Sequence, residues 1–118
     1  MIFVTGPLYS GKRSFACRLL GCSREALAHK AVWDVQELVA AAPNEEALTA
    51  LADRLAGQYA VVIATEVGGG VVPMDPAQRA AREAAGRLSC LLAQRADTVV
   101  RLVCGLPLVI KGNLAKEV

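Results

Sequence analysis

Two glycines five residues apart, the second followed at once by lysine, form the first pattern in the chain that could do chemistry: Gly6-Pro7-Leu8-Tyr9-Ser10-Gly11-Lys12, with Arg13 and Ser14 next. An apolar, β-branched run, Met1 to Thr5, precedes it. Arg13-Ser14-Phe15-Ala16 reads as the opening of a helix. Strand, glycine-bounded loop, lysine and helix make the phosphate-binding loop of nucleotide-using proteins. Glycine lets successive backbone N–H groups turn inward toward phosphate oxygens, and the helix N-terminus adds favourable potential for an anion. Lys12 is then expected to reach the outer phosphates. The alternative is a glycine-bearing turn that happens to precede a lysine.

One position departs from the pattern. Ser or Thr normally follows the lysine and ligates Mg²⁺, but Arg13 stands there and cannot ligate a cation. Ser14 lies about 100° further round the helix, so it replaces that ligand only if the helix start shifts.

A second candidate is Asp34, at the end of Ala31-Val32-Trp33-Asp34-Val35, which reads as a short strand. A carboxylate at the C-terminal end of a strand beside the first one orders Mg²⁺ or its water shell next to the phosphates. The other reading of Asp34 is an exposed acid, or an N-cap for a helix over Gln36 to Ala41. Glu37 is a weaker candidate for the metal role. Arg79 and Arg82, three apart near the start of a long helix, share a face and could hold phosphate or substrate oxygens. Their alternative is an ordinary solvated face.

The elements that must position these groups follow from the pattern of apolar residues. The helix after the loop is expected from about Lys12 to Leu20, packing on Phe15 and Leu19, with Ala16 and Leu20 beside them, and stopping at Gly21. Cys22 to Lys30 is a short polar connection, with a turn of helix over Ser23 to Ala28 capped by Ser23. Asn44 caps a second helix with acids in its first turn, Leu48, Leu51 and Leu55 on one face and Gly57 at its end. Tyr59 to Thr65 is a third strand, apolar throughout as a central parallel strand should be. It delivers Glu66 and three glycines to the sheet edge where open α/β sheets bind ligands. Asp75-Pro76 opens the longest helix, to about Gln94, with Ala77, Ala80, Ala81, Ala84, Leu88, Leu91 and Leu92 as its packing surface. Thr98 to Cys104 is a fourth strand and Leu108 to Ile110 a short edge strand, after which the chain is expected to fray. The expectation is one α/β domain over residues 1–112, a three-layer phosphate-loop fold with a mostly parallel sheet of about five strands. Residues 113–118 form its frayed tail.

The 118 residues are enough for one domain with its own core, and the 54 % apolar content with few aromatics suits helices packed on a buried parallel sheet. A formal charge of +2 is too mild to argue for nucleic acid or an acidic membrane. The four cysteines, at unrelated spacings inside apolar elements, are expected to be buried free thiols, which makes a cytoplasmic location the default. No apolar run approaches the length of a membrane span.

The residues also carry a resemblance. Glu66-Val67-Gly68-Gly69-Gly70-Val71-Val72-Pro73, then Arg79, Arg82-Glu83, Gly86-Arg87, Ala96-Asp97, Val99, Val103, Gly105 and Ile110-Lys111, resembles the C-terminal half of the bifunctional adenosylcobinamide kinase/adenosylcobinamide-phosphate guanylyltransferase family of cobalamin biosynthesis. Val4-Thr5-Gly6 through Ser10-Gly11-Lys12 resembles that family's phosphate loop, and Val32-Trp33-Asp34 its second acidic strand. The resemblance implies phosphorylation of the aminopropanol hydroxyl of adenosylcobinamide with ATP or GTP, then transfer of GMP from GTP through a histidine, commonly in a homotrimer. By that resemblance Gly6 to Arg13, together with Ser14, would wrap the phosphates, and Lys12 would stabilise transferred-phosphoryl charge. Asp34 and Glu66 would organise Mg²⁺, and Arg79 and Arg82 would hold substrate or phosphate.

The departures bear on activity. Family members are longer, and the missing segment, between the loop helix and the Asp34 strand, carries the histidine that accepts GMP. His29, the one histidine here, lies in the shortened connection and reads either as that nucleophile displaced or as a surface residue. Arg13 stands at the Mg²⁺-ligating serine and Ser89 where asparagine is usual. A kinase step is therefore the expected chemistry, with the guanylyl step doubtful. A non-catalytic relative that binds nucleotide or corrinoid, and a kinase for another small alcohol, are the alternatives.

Overall fold

Alternation along the central strands builds two cores, one on each face of a single sheet. The structure, a computed structural model, describes residues 1–67 and 75–114. Phe3 and Val4 are neighbours in β1 (Ile2–Gly6) and both buried, but they point to opposite faces. Val4 joins Val61, Ile63, Val100 and Leu102 under Phe15 and Ala16 of α1 (Lys12–Leu20). Phe3 joins Val62, Ala64 and Val99 under α2 (Glu45–Gln58) and α3 (Pro76–Arg95). The sheet order is β2-β3-β1-β4-β5, with β2 (Ala31–Val32), β3 (Val61–Thr65), β1 and β4 (Thr98–Val103) mutually parallel. β5 (Leu106–Lys111) returns antiparallel to β4. The three-layer α/β architecture is the one expected.

Local signals account for most of the helix ends. Gly21, left-handed at φ 62°, closes α1, its N–H and that of Cys22 bonding to the carbonyls of Arg18 and Cys17. Asn44 Oδ1 accepts from the Ala47 N–H at 2.8 Å and Asp75 Oδ1 from the Gln78 N–H at 2.8 Å, so both expected caps are formed. Leu48, Leu51 and Leu55 are buried as their spacing required, each worth about 2 kcal/mol of apolar burial. Arg87–Glu45 and Arg95–Asp53 ion pairs tie α3 to α2 across their exposed edge.

Several expectations need correction. β2 stops at Val32 rather than Val35, because Asp34 is left-handed at φ 57° and turns the chain into a 3₁₀ helix over Val35–Ala41. The connection after α1 carries its helical turn at Leu27–His29, C-terminal to the expected place, although Ser23 Oγ does accept from the Ala26 N–H. Ala77, Ala80 and Ala81 are exposed: they precede Arg87, whose ion pair with Glu45 sets the first residue of α2 beside the middle of α3, and Ala85, Leu88, Leu91 and Leu92 make its buried surface. Cys90 and Cys104 are exposed free thiols and Cys17 and Cys22 half-buried, so the expected burial does not hold: Cys90 lies on the outer side of α3 and Cys104 in a hairpin turn. β5 is longer than expected, running through Lys111, whose ammonium donates to the last carbonyls of α3 at Ala93 and Gln94. Thr98 Oγ1 donates to the Asn113 carbonyl, and Leu114 packs on the α1-side core. Residues 115–118, and 68–74 with most of the glycine-rich stretch after Glu66, lie outside the described residues.

Candidate functional site: a phosphate loop flanked by arginines

The loop sits where the sheet order switches. β1 lies between β3 and β4, and its C-terminal end opens at the edge from which ligands are bound in such sheets. Gly6 is irreplaceable there on steric grounds: at φ 152°, an added Cβ would lie 2.5 Å from the Leu102 carbonyl oxygen and 2.8 Å from Ser10 Oγ. Gly11 is left-handed at φ 87° and forms the N-cap of α1. Tyr9, also left-handed at φ 61°, is 95 % exposed at the loop's tip. The loop is braced from the other side by the β4–β5 turn, where the Gly105 N–H donates to the Ser10 carbonyl at 3.0 Å.

Lys12 is buried, and its ammonium folds back over the loop, donating to the Pro7 carbonyl at 2.7 Å and to Ser10 Oγ at 3.3 Å. Burial holds its pKa below the ordinary lysine value, against the opposing pull of Asp34 and Glu66, while Arg13 adds a smaller lowering. A buried ammonium satisfied only by neutral oxygens is well suited to trade them for phosphate, whose negative charge would stabilise it.

Beside the loop is an open cavity of about 350 Å³ lined by Leu8 to Ser14, Arg24, Trp33, Asp34, Ile63 and Thr65. It brings together residues far apart in sequence. Asp34 lies on its wall with Lys12. Its side chain makes no cap to the following 3₁₀ helix and instead accepts long hydrogen bonds through Oδ1 from Thr65 and Gln36. Gln36 in turn accepts from the Thr65 N–H at 2.9 Å, fixing the Asp34 turn to the end of β3. Arg13 lies over the Trp33 ring, 5.5 Å from its centroid, a cation–π contact.

Glu66 follows β3, its N–H donating to the Gly6 carbonyl. Both of its carboxylate oxygens are engaged by Arg101, which holds the carboxyl below the usual range against the opposing effect of burial, with Lys12 contributing less. Arg79 is exposed and Arg82 half-buried near the start of α3, and neither lines the cavity. Glu37 and His29 are exposed and also outside its lining.

These contacts decide how well the residues fit a Mg²⁺ ion. Arg13 replaces the ligating hydroxyl, Ser14 Oγ accepts from Arg24 Nη1 at 3.1 Å, and Glu66 is paired with Arg101. Asp34 alone of the expected donors keeps a carboxylate on the cavity wall. The donor set does not fit a metal held in the usual way by a loop hydroxyl with carboxylate support.

Sequence reasoning missed Arg24, Gln36, Thr65 and Arg101. Nothing local marks the first three. Arg101 did carry a signal, as the one charge inside the apolar strand Thr-Val-Val-Arg-Leu-Val, where an arginine requires an acidic partner nearby.

The sheet order, the glycine-bounded loop and the buried lysine define a phosphate-loop α/β protein. Within that class, a model of the family "Cobinamide kinase / cobinamide phosphate guanyltransferase" matches residues 26–110, and the chain belongs to that family. The match begins after the loop, so residues 6–14 lie outside it. No curated protein matches the chain.

Proposed function

We propose that the chain binds ATP or GTP with its phosphates in the loop Gly6 to Ser14, and transfers the terminal phosphoryl group to the hydroxyl of adenosylcobinamide in cobalamin biosynthesis. The observation that carries this reading is a buried Lys12 at a glycine-bounded loop, opening on a cavity that also holds the carboxylate of Asp34. In that reaction the acceptor oxygen forms the new P–O bond, the bond to the bridging oxygen breaks, and Asp34 is the carboxylate available to take the hydroxyl proton. Lys12 offsets charge on the transferred group. Arg79 and Arg82 are proposed as contacts to substrate outside the cavity, in a cytoplasmic protein that assembles as a homotrimer.

Transfer of GMP is left out of the proposal, since exposed His29 lies outside the cavity lining. A second reading, nucleotide binding without catalysis, is favoured by Arg13 at the metal position and by the pairing of Ser14 with Arg24.

Mass spectrometry of adenosylcobinamide incubated with the protein, Mg²⁺ and either nucleotide tests the two. A phosphate-mass increase abolished by Lys12→Ala is expected; bound nucleotide with no product supports the second reading. Omitting the metal from the same assay tests the expected Mg²⁺ role of Asp34 and Glu66.

A further inference from the structure

Among the described residues, the cavity beside the loop is lined by three basic side chains, Lys12, Arg13 and Arg24, and a single carboxylate, Asp34. Two of these cations stand where a metal-dependent site needs oxygen donors. Arg13 occupies the position of the ligating hydroxyl. The next hydroxyl along, Ser14 Oγ, accepts a hydrogen bond from the Arg24 guanidinium at 3.1 Å. A divalent cation seated there would have to displace that guanidinium and would still face the charge of Arg13, a repulsion opposed among the described lining residues by the one carboxylate of Asp34.

Both arginines are anchored. Arg13 is stacked over Trp33. Arg24 belongs to a connection pinned on one side by the Ser23–Ala26 hydrogen bond and on the other by Leu27, which is buried in the α1-side core. Guanidinium groups remain charged at any accessible pH and present forked donors that match phosphate oxygens.

We infer that Arg13 and Arg24 together replace the divalent cation at this loop, so that the protein binds the polyphosphate of a nucleoside triphosphate without a metal ion. This rests on the nucleotide-binding reading above and adds to it the means of charge neutralisation. Lys12 meets the phosphates from beneath the loop, and the two guanidiniums complete the charge from the cavity wall. Arg24, which lies before the stretch matched to the family, becomes a ligand-binding residue.

Isothermal titration calorimetry with ATP and with GTP, each in excess EDTA and in excess Mg²⁺, tests the inference on the wild type, Arg13→Ser and Arg24→Met. Both arginines are exposed, and circular dichroism of the variants reports that the fold is intact. Wild-type affinity in EDTA is expected to lie within about threefold of that in Mg²⁺. Arg24→Met is expected to weaken binding in EDTA by about tenfold, as loss of a charge-assisted contact should. Arg13→Ser is expected to weaken binding in EDTA and to regain affinity when Mg²⁺ is added. Trp33, the single tryptophan, gives a second readout, since phosphate drawing Arg13 off its ring should change its emission in EDTA.

Wild-type binding in Mg²⁺ but not in EDTA would overturn the inference and leave the nucleotide-binding reading standing. An Arg24→Met variant that binds like wild type in EDTA would also overturn it. Absence of binding under both conditions would remove the nucleotide-binding reading, and the inference with it.

Discussion

Arg101 grips both carboxylate oxygens of Glu66, Nε to Oε2 at 2.7 Å and Nη2 to Oε1 at 2.8 Å, across 35 residues of sequence. The pair joins β4 to the end of β3 over the C-terminal edge of β1, beside the phosphate loop. It converts a carboxylate expected to serve a metal into a fixed, ionised neighbour of Lys12.

Because Glu66 titrates lower in the folded protein than its ordinary value of about 4.3, the stabilisation it gives is fully present above that pH and is lost as pH falls through the lowered folded value. Arg101→Leu should therefore lower the melting temperature at pH 7, and the gap to wild type should close on acidification. Thermal melts followed by circular dichroism from pH 7 to pH 3 would check this. A gap that persists unchanged at the acid end would mean that Arg101 acts through packing alone.

Lys12 gives a slope of the same sign from the opposite cause, since there the fold penalises the charged form rather than favouring it. Its folded pKa is depressed, so between that value and the ordinary lysine pKa of about 10.4 the unfolded chain binds the extra proton and stability rises with pH. Lys12→Met should remove this rise while weakening nucleotide binding by about 10- to 100-fold, the loss of a charge-assisted contact. Urea denaturation without nucleotide at pH 7 and pH 9.5, beside calorimetric titration, separates the two effects.

Gly6→Ala should destabilise the protein by about 2 kcal/mol or more, since the methyl group cannot enter the space between the Leu102 carbonyl and Ser10 without moving backbone. Equilibrium urea denaturation gives the value. Gly21→Ala has open space around the new methyl and only the left-handed φ to oppose it, so its cost should be smaller.

Phe15→Ala should cost about 3–5 kcal/mol, because a fully buried ring is removed from the junction of α1 with the sheet. Ala81→Ser, on the exposed start of α3, should change stability by no more than about 0.5 kcal/mol. Equal effects at the two positions would contradict the packing described for these helices.

The sequence by itself determined the loop, the three α-helices and the order of the strands along the chain, though not the ends of β2 and β5 or the 3₁₀ turns. Glycine and lysine spacing marks residues 6–12, Asn44 and Asp75-Pro76 mark helix starts, and continuous apolar runs mark parallel strands, because each of these signals is local: a backbone angle, an orphan N–H or a buried face. The family resemblance was legible in the same way, from residues near one another in the chain.

Only the tertiary structure decided the partners. That Arg101 meets Glu66, that Arg24 meets Ser14 and that Gln36 ties the Asp34 turn to Thr65 depends on sheet order and on where each connection returns. The same holds for burial at α3. Its alanines have helical spacing along its whole length, yet Ala77, Ala80 and Ala81 are exposed and packing on the core begins at Ala84, close to where Arg87 meets Glu45 at the start of α2. Periodicity fixes which face a helix can bury, whereas the lengths of the neighbouring elements fix how much of that face finds something to cover it.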